Sequence, residues 1–433
     1  MRLEIPTPSL VLLIGPSGCG KSTFARAHFR ETEVISSDRC RALVSDDEAD
    51  QSATRAAFEV LHLIVAKRLE RCRLTVVDAT NVHVDARRPL LELARRAHLP
   101  CDAVVFDLPV DACLAGDAAR AGRTVGEDVV RRQWEQLHRA LRHLPHEGFR
   151  AVHALRWPDE IAGAEVVRAP LPVDRRAESG PFDVVGDVHG CGDELEELLA
   201  LLGYARDPLG VYRHPSRRAV FVGDLVDRGP RVVDVLRTAM DMVAAGAAFA
   251  VPGNHDAKLA KKLRGRNVVV AHGLAESLEQ IGREPPAFAA RVADFLDALP
   301  SHLVLDGGRL VVAHAGMRQS LQGRDSSRVR DFALYGETTG ATDQYGLPVR
   351  LDWAAEYHGS ALVVYGHTPV AEPRWMQRTV NVDTGCVFGG ALTAMRWPEL
   401  TFVSVPARQE YTKSRRPFLP RHFAEQSSPE VSS

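Results

Sequence analysis

The sequence has 433 residues, too many for one ordinary domain, so we expect two or three domains that each bury a core. Its formal net charge of -2 excludes a broadly basic protein that coats nucleic acid. Its seven cysteines form no Cys-x-x-Cys pair, so neither a zinc ribbon nor a disulfide framework is indicated. No apolar run approaches the roughly 18 residues of a membrane span. A cytoplasmic protein is therefore expected.

The first motif is a complete phosphate-binding loop between a strand and a helix. An apolar strand pattern at residues 10–14 leads into Gly15-Pro16-Ser17-Gly18-Cys19-Gly20-Lys21-Ser22-Thr23, and a helical pattern follows. We expect the loop N–H groups to bind the β-phosphate of ATP, Lys21 to reach the β- and γ-phosphates, and Ser22 to bind Mg²⁺. The residues predicted to bind ATP and its Mg²⁺ are Gly15, Gly18, Gly20, Lys21, Ser22 and Thr23.

A carboxylate follows the second predicted strand, residues 33–37. In P-loop kinases a carboxylate in this place can take the proton of the acceptor hydroxyl, so Asp38 is the predicted general base. A helix cap is its alternative role. Arg41, one helical turn later, is predicted to bind a phosphate of the acceptor, with a solvated surface charge as its alternative.

A helix and a third strand come next. Residues 51–71 fit a helix, and a strand at 74–77 ends in Asp78, which is predicted to lie near the Mg²⁺ or to cap the helix that follows. The apolar stripe predicted for the helix comprises Ala56, Val60, Leu63, Ile64 and Leu69.

Two arginines precede the helix predicted at 127–144. Arginines in this position form the lid of small kinases, so Arg120 and Arg123 are predicted to close over ATP and to neutralise the transferring phosphoryl group; an exposed basic loop is the alternative. Alternating strands and helices predict a doubly wound parallel sheet for a kinase domain at 1–170. Residues 171–181, with prolines and clustered charges, are predicted to be a linker.

The second half contains a series of apolar strands that end in polar residues. The first ends in Asp187-Val188-His189, whose period-two spacing places both side chains on one side of the strand exit, where they can bind one metal ion. Read singly, these residues have ordinary roles in turns, helix caps and packing, but their number and order favour one shared site. The later strand-end residues are Asp224, Asp227, Arg228, Asn254, His255, His314, His367 and Asp383, of which Asp383 fits a simple turn equally well.

This order resembles the calcineurin-like metallophosphoesterases of the phosphoprotein-phosphatase type, over residues 182–405. The resemblance implies two divalent ions about 3.5–4 Å apart, with Asp224 as the shared carboxylate. One ion would be held by Asp187, His189 and Asp224, and the other by Asp224, Asn254, His314 and His367. Such ligands suit Mn²⁺, Fe²⁺, Ni²⁺ or Zn²⁺ better than Ca²⁺, and Mn²⁺ is the expected ion.

The same resemblance implies the catalytic roles. His255 would be the general acid for the leaving oxygen, and Asp227 would orient it. Arg228 would bind the phosphate of the substrate with two hydrogen bonds. The predicted fold class is therefore α/β throughout: a P-loop doubly wound parallel-sheet kinase domain, followed by an α/β calcineurin-like metallophosphoesterase domain at 182–406.

The combination of the two domains resembles the bacterial polynucleotide kinase-phosphatases that repair RNA ends. That resemblance implies transfer of the γ-phosphate of ATP to 5′-hydroxyl ends and removal of 2′,3′-cyclic, 2′- or 3′-phosphates. RNA ends are the expected substrate, with DNA ends left open. The family commonly carries a ligase domain, but the sequence has no Lys-x-Asp-Gly motif. A separate RNA ligase, an RNA methyltransferase and a second copy of the chain are the expected partners.

Other interpretations remain open. One is a metabolite kinase joined to a nucleotide or dinucleoside polyphosphate hydrolase or to a Ser/Thr protein phosphatase, and another is a regulatory ATP-binding switch. A basic segment at 258–266 would follow a nucleic-acid backbone or be a solvated helical face. The insertion at 318–358 would build part of the substrate cleft or a dimer contact, and residues 407–433 are predicted to be a disordered tail.

Overall fold

The computed structural model describes residues 1–120, 124–346 and 348–414. The chain forms two compact units. Unit 1 consists of residues 1–171 with 324–326, and unit 2 consists of the remaining described residues from 172 onward. Each unit has buried apolar clusters of its own. Both contain sheets with helices, so the predicted α/β class is confirmed.

Unit 1 contains a parallel sheet whose three central strands are buried. The strands are β1 (Arg2–Thr7), β2 (Leu10–Ile14), β3 (Val34–Ser36), β4 (Thr75–Asp78), β5 (Cys101–Phe106), β6 (Ala151–Leu155) and β7 (Glu165–Pro170). The helices are α1 (Lys21–His28), α2 (Ser37–Ser45), α3 (Thr54–Glu70), α4 (Val84–Arg96), α5 (Val110–Ala118), α6 (Glu127–Ala140) and α7 (Pro158–Ala162). Five strands pair in parallel in the order β3-β4-β2-β5-β6, and β1 pairs in parallel with β7.

The register of this sheet places three candidate segments at one edge. Leu13 of β2 and Ser36 of β3 both lie opposite Asp78 of β4. β2 is the central strand of the sheet and every residue of it is buried, as in parallel sheets that are covered on both faces, which explains its unbroken apolar run. The phosphate-binding loop, the start of α2 and Asp78 therefore share the carboxyl edge of the sheet, where ligands bind in folds of this kind.

Unit 2 contains two larger sheets. Its strands are β8 (Asp174–Arg175), β9 (Phe182–Val185), β10 (Ala205–Arg206), β11 (Tyr212–Arg213), β12 (Arg218–Phe221), β13 (Ala248–Ala250), β14 (His302–Leu305), β15 (Leu310–Ala313), β16 (Thr338–Thr342), β17 (Pro348–Arg350), β18 (Leu362–Tyr365), β19 (Arg374–Met376), β20 (Thr379–Asn381), β21 (Ala391–Trp397) and β22 (Thr401–Pro406). Its helices are α8 (Gly192–Leu202), α9 (Val232–Ala244), α10 (Asn254–Leu263), α11 (Leu274–Gly282), α12 (Pro286–Ala298) and α13 (Ser327–Tyr335).

The two sheets of unit 2 share a buried core. One has the order β13-β12-β9-β21-β22 and the other β19-β20-β18-β15-β14-β8. Apolar side chains of both, such as Val184 of β9 and Val312 of β15, belong to one cluster. Within the sheets, β9, β12 and β13 run in parallel, as do β15, β18 and β20. A candidate site residue follows the end of each of these six strands within a few positions.

The structure corrects two boundaries and one helix face. Part of the predicted linker, residues 174–175, pairs with β14 as an edge strand of unit 2. In the predicted tail, Tyr411 donates its N–H to the Val387 carbonyl, so the described residues 407–414 are ordered against unit 2, and 415–433 lie outside the described residues.

No helix in the described ranges is long and apolar enough to cross a membrane. The buried residues of α3 are Ala57, Leu61, Val65 and Leu69, so the predicted stripe was wrong at all but its last member.

Candidate metal centre and phosphate-binding loop

Asp224 is the centre of the candidate site in unit 2. Its carboxylate is buried, with Oδ2 3.4 Å from His189 Nε2 and 3.5 Å from His314 Nε2. Its Oδ1 accepts a hydrogen bond of 3.0 Å from the His255 N–H. Asp224 belongs to two groups of side chains that are close enough to hold a cation: one with His189 and His255, the other with His314 and His367. This shared membership fits a carboxylate that bridges two metal ions.

The hydrogen bonds of His189 and His314 aim the Nε2 atom of each ring at Asp224. His189 Nδ1 lies 2.8 Å from the Val226 carbonyl, and His314 Nδ1 lies 3.2 Å from the Val222 carbonyl. Because a carbonyl only accepts, both Nδ1 atoms must carry the proton, and both Nε2 atoms keep a lone pair. A backbone partner of this kind fixes the tautomer of a metal-binding histidine.

The surroundings of His314 Nε2 fit a cation. This nitrogen lies 3.0 Å from Asn254 Oδ1 and 2.8 Å from His367 Nδ1, and it also faces Asp224 Oδ2. Asp187 Oδ1 and His367 Nε2 are buried and have no hydrogen-bond partner among the described residues. Converging acceptors and an unpartnered buried carboxylate oxygen are costly without a positive ion, so the residues present fit a metal centre. We call Asp187, His189, Asp224, Asn254, His314 and His367 the Asp224 site.

Burial and mutual charge shift the pKa values across this site. Burial, then the charges of Asp383 and Asp224, raise the pKa of Asp187 well above its ordinary value. Burial alone would also raise the pKa of Asp224, but the surrounding imidazoles, His314 first, lower it. Burial lowers the pKa values of His189 and His314, which keeps their rings neutral. Without a positive charge nearby, burial therefore favours the protonated form of Asp187. A divalent ion would supply that charge and hold Asp187 and Asp224 as carboxylates beside neutral imidazoles.

Two glycines let backbone approach the carboxylates closely. A Cβ atom on Gly253 would lie 2.0 Å from Asp224 Oδ1, and one on Gly366 would lie 2.0 Å from Asp187 Oδ1. Asp187 Oδ2 meanwhile accepts the His367 N–H at 3.0 Å. Both carboxylates are therefore held against backbone that no larger residue could supply.

Asp227, Arg228 and His255 form a second cluster beside the Asp224 site. Asp227 has no exposed surface, and its Oδ2 lies 2.6 Å from His255 Nδ1. Arg228 places NH1 2.6 Å from His189 Nε2 and NH2 2.9 Å from His255 Nε2. Asp224, Asp227 and Arg228 have φ angles of 48°, 73° and 72°, which non-glycine residues rarely adopt and which concentrate at functional sites.

The structure therefore brings together every residue predicted for the phosphatase site, and their roles as ligands or catalysts stay predictions. Asp383 is buried as well, and its Oδ1 accepts the Gly385 N–H at 3.0 Å, which is the turn role that its sequence context suggested. Burial, and then the charge of Asp224, raise its pKa to about 7.

Two residues of this region escaped the sequence analysis. Asp256 is buried and accepts the Gly253 N–H at 2.8 Å and the Leu225 N–H at 3.0 Å, so it fixes the loops on both sides of Asp224. Its place in the first turn of α10, three residues after Gly253, was an available signal. Ser277, on α11, contacts Asp227, fifty positions away in the sequence, and nothing local points to it.

In unit 1, the phosphate-binding loop has its expected form. Gly18 and Gly20 have φ angles of 77° and 92°, and α1 starts at Lys21. The Lys21 ammonium is buried and donates to the Gly15 and Pro16 carbonyls at 2.8 and 2.6 Å. Ser22 and Thr23 lie in the first turn of α1, whose positive dipole end faces the loop. These are the parts that phosphate binding requires.

The predicted acceptor-side residues of unit 1 lie together. Arg41 NH1 donates to Asp38 Oδ1 at 2.7 Å, and the Asp38 side chain is 44% exposed, so solvent reaches it. Ser36 caps α2 by accepting the Arg39 N–H, which leaves Asp38 without the capping role considered for it. Asp78 is buried at the end of β4.

The lid is described only in part. Arg120 is exposed just after α5, and Arg123 lies outside the described residues. Asp117 accepts the Val125 N–H at 3.0 Å and so ties the start of α6 to α5. Gln133 of α6, which the sequence analysis missed, accepts the Ser17 N–H of the phosphate-binding loop at 2.8 Å.

The basic segment of unit 2 is partly occupied by internal contacts. Arg264 forms ion pairs of 2.6 and 2.9 Å with Asp294 and Asp297 of α12, and Lys258 donates to the Ala271 carbonyl. Lys261 and Arg266 are exposed. The structure thus favours a solvated helical face for at least part of this segment.

Comparison with known proteins gives two family matches and a set of relatives. The family model described as calcineurin-like phosphoesterase matches residues 180–371, and the one described as an AAA domain matches residues 10–144. A bis(5′-nucleosyl)-tetraphosphatase PrpE [asymmetrical] of Geobacillus sp. (strain WCH70) is 46% identical over 247 residues, which cover 56% of this chain and 98% of the relative. The proteins of the same name from Halalkalibacterium halodurans and Bacillus subtilis (strain 168) are 48% and 46% identical over 53% and 54% of this chain, and 94% and 98% of their own lengths.

Proposed function

Since the chain belongs to the calcineurin-like phosphoesterase family, we propose that it is a two-site enzyme that hydrolyses nucleotidyl phosphates in unit 2 and transfers phosphate from ATP in unit 1. The observation that carries the hydrolase assignment is the place of Asp224 in two cation-binding groups, beside the Asp227–His255 pair. The transferase assignment rests on the complete phosphate-binding loop.

In unit 2, Asp187, His189 and Asp224 would hold one divalent ion, and Asp224, Asn254, His314 and His367 the other, with Mn²⁺ the proposed species. When bound, the ions supply Lewis-acid charge for the phosphate oxygens and the attacking water. The protein itself supplies the rest. Arg228, whose NH1 and NH2 lie against His189 Nε2 and His255 Nε2, would turn both nitrogens to a bound phosphate. His255 would give a proton to the leaving oxygen. Asp227 fixes the ring of His255 through Nδ1.

In unit 1, Lys21 and the loop N–H groups would bind ATP, and Ser22 its Mg²⁺. Asp38 would take the proton of the acceptor hydroxyl. The Arg41 guanidinium orients the Asp38 carboxylate through a hydrogen bond. The same guanidinium would also bind a phosphate on the acceptor, which would compete with Asp38 for it. Arg120 and Arg123 are the proposed lid residues.

Polynucleotide ends are our first substrate proposal, with RNA before DNA. It accounts for both sites in one chain: phosphorylation of a 5′-hydroxyl in unit 1, and removal of a 2′,3′-cyclic, 2′- or 3′-phosphate in unit 2. The two products, a 5′-phosphate and a 3′-hydroxyl, are the ends that a ligase joins. A separate RNA ligase, an RNA methyltransferase and a homodimer are therefore kept as proposed partners.

Dinucleoside tetraphosphates are the second substrate proposal. It is favoured by the relatives named bis(5′-nucleosyl)-tetraphosphatases, which are 43% to 48% identical to this chain over nearly their whole length. Under this proposal the same Asp224 site hydrolyses a phosphoanhydride, and unit 1 acts on a small acceptor.

One experiment separates the two proposals. The full chain is incubated with ATP, Mg²⁺ and Mn²⁺ together with either a short RNA bearing a 5′-hydroxyl and a 2′,3′-cyclic phosphate, or a dinucleoside tetraphosphate, and the products are weighed by mass spectrometry. Healing of both RNA ends supports the first proposal. Unchanged RNA with rapid cleavage of the tetraphosphate supports the second, and no hydrolysis of either overturns the hydrolase assignment to nucleotidyl phosphates.

A further inference from the structure

Ser277 is a buried hydroxyl on α11 that makes two hydrogen bonds to one residue. Its Oγ donates to Asp227 Oδ1 at 2.6 Å and accepts the Asp227 N–H at 2.9 Å. Ser277 has no exposed surface, so water does not compete for either bond. A hydroxyl carries one proton, and the backbone N–H must donate, so the Ser277 proton is committed to the carboxylate.

With these bonds, both carboxylate oxygens of Asp227 have a partner. Its Oδ2 lies 2.6 Å from His255 Nδ1, and its Oδ1 is taken by Ser277. Asp227 is fully buried and its φ angle is 73°, an unfavourable value for a residue with a Cβ. Ser277 is hydrogen-bonded to both the backbone and the side chain of Asp227, and these two bonds fix the plane of the carboxylate that faces His255.

The effect reaches the reacting end of His255 through a short series of contacts. With Nδ1 bound to Asp227, the ring presents Nε2 to Arg228 NH2 at 2.9 Å, on the side of the Asp224 site. A carboxylate free to rotate would no longer hold that direction. Without Ser277, Asp227 Oδ1 would also be buried without its donor, which favours rotation of the carboxylate away from His255.

We propose that Ser277 is a positioning residue for proton delivery: by holding Asp227, it keeps His255 aimed at the leaving oxygen of the substrate. The inference rests on the hydrolase function proposed for the Asp224 site, but not on which nucleotidyl substrate that site uses. Both side-chain hydrogen bonds of Ser277 go to Asp227, so it acts through that residue.

Leaving groups of different basicity isolate this role. An alkoxide such as that of glycerol phosphate needs a proton as it departs, whereas p-nitrophenolate leaves without one. A defect in proton delivery therefore slows glycerol phosphate selectively. A general loss of folded protein or of metal slows both esters by the same factor.

The test compares Ser277→Ala with Ser277→Thr, which keeps the hydroxyl, and with Ser301→Ala, which removes a buried hydroxyl elsewhere in unit 2. For Ser277→Ala we expect kcat on glycerol phosphate to fall about 10-fold or more, with less than about a 3-fold change on p-nitrophenyl phosphate and an unchanged KM. Ser277→Thr restores most of kcat, and Ser301→Ala leaves the ratio of the two rates unchanged. Should the alanine variant fail to fold, Ser277→Cys, a weaker donor, is measured in its place and must show the same selectivity.

Equal losses on both esters, or no loss on either, overturn the proposal and leave Ser277 a packing residue. If the wild-type protein hydrolyses neither these esters nor a nucleotidyl substrate with Mn²⁺ present, the proposed hydrolase function fails first, and the inference fails with it.

Discussion

His255 Nδ1 lies 2.6 Å from Asp227 Oδ2, and Asp227 has no exposed surface. A buried carboxylate at this distance fixes both the tautomer and the direction of the imidazole. Asp227→Asn keeps the volume but removes the negative charge beside Nδ1, which stabilises the imidazolium form that can give a proton from Nε2. We expect kcat for a nucleotidyl substrate to fall about 10²-fold or more with little change in KM. Asp207→Asn, on an exposed turn, is the control, and a kcat within 2-fold of the wild type would refute the role of Asp227.

Arg228 connects two histidines of the site through separate nitrogens. Arg228→Lys keeps the charge but loses the planar fork that a phosphate requires, so kcat/KM should fall about 10²-fold and inhibition by inorganic phosphate should weaken. Steady-state kinetics with phosphate as inhibitor measure both effects. Arg213→Lys, in an exposed ion pair, is the matched control. Unaltered phosphate inhibition in the Arg228 variant would show that the arginine binds no phosphate.

Gly366 leaves no room for a side chain beside Asp187. Gly366→Ala puts a methyl group 2.0 Å from Asp187 Oδ1, so the carboxylate must move and bound Mn²⁺ per chain should fall. Gly282→Ala adds the same methyl group at the end of α11, where it meets nothing within 4 Å, and should keep full metal content. Elemental analysis after dialysis measures the difference. Full metal content in both variants would remove Asp187 from the ligand set.

Lys21 and Asp224 lie in different units, which predicts independent losses. Lys21→Ala should lower ATP-dependent phosphoryl transfer by about 10²-fold or more, because the β- and γ-phosphates lose their ammonium partner, and should leave hydrolysis intact. Asp224→Asn should do the reverse, with loss of bound metal. Both activities are measured on each purified variant. A joint loss of both activities in either variant would argue against two separate sites.

The stability of unit 2 should depend on pH through His302. Burial, with Arg176 nearby, lowers the pKa of His302 from 6.5 to about 3. Between these values the unfolded chain takes up a proton that the folded chain does not, so the free energy of unfolding falls as pH decreases, by at most about 1.4 kcal/mol per pH unit for this group. Well above pH 6.5, His302 is neutral in both the folded and the unfolded chain, so it does not change the free energy of unfolding.

His302→Gln keeps an acceptor for the Gly323 N–H without the titration. Its unfolding free energy, measured with denaturant from pH 5 to 8, should fall less steeply with acid than that of the wild type. Parallel curves for the two proteins would mean that His302 does not titrate in this way.

The Asp224 site was predictable because its residues follow the ends of strands, and the geometry of a sheet places neighbouring strand ends close together. Asp187 and Asp224 follow neighbouring parallel strands of one sheet, and His314 and His367 follow neighbouring parallel strands of the other, so each pair lies at the carboxyl ends of its strands. Residue type and order along the chain, with the resemblance to the calcineurin-like metallophosphoesterases, were sufficient to group the two pairs. The phosphate-binding loop was predictable for the same reason, since its motif also specifies the strand before it and the helix after it.

Contacts made across long stretches of chain were not predictable. Ser277 reaches Asp227 only because α11 packs beside the site, and an isolated serine gives no sign of that. The helix α3 has apolar residues on several sides, so its pattern did not decide the buried face; Leu63, placed in the predicted stripe, is 59% exposed. Part of the predicted linker became β8 because an edge strand needs little apolar character of its own.

The most direct test of the account is anomalous diffraction from crystals of the protein soaked in Mn²⁺, with data collected at the manganese absorption edge. The account predicts two manganese peaks per chain that share the Asp224 carboxylate, one on the side of His189 and the other on the side of His314. A single peak, or peaks only at other places in unit 2, would contradict the binuclear centre on which the proposed hydrolysis depends.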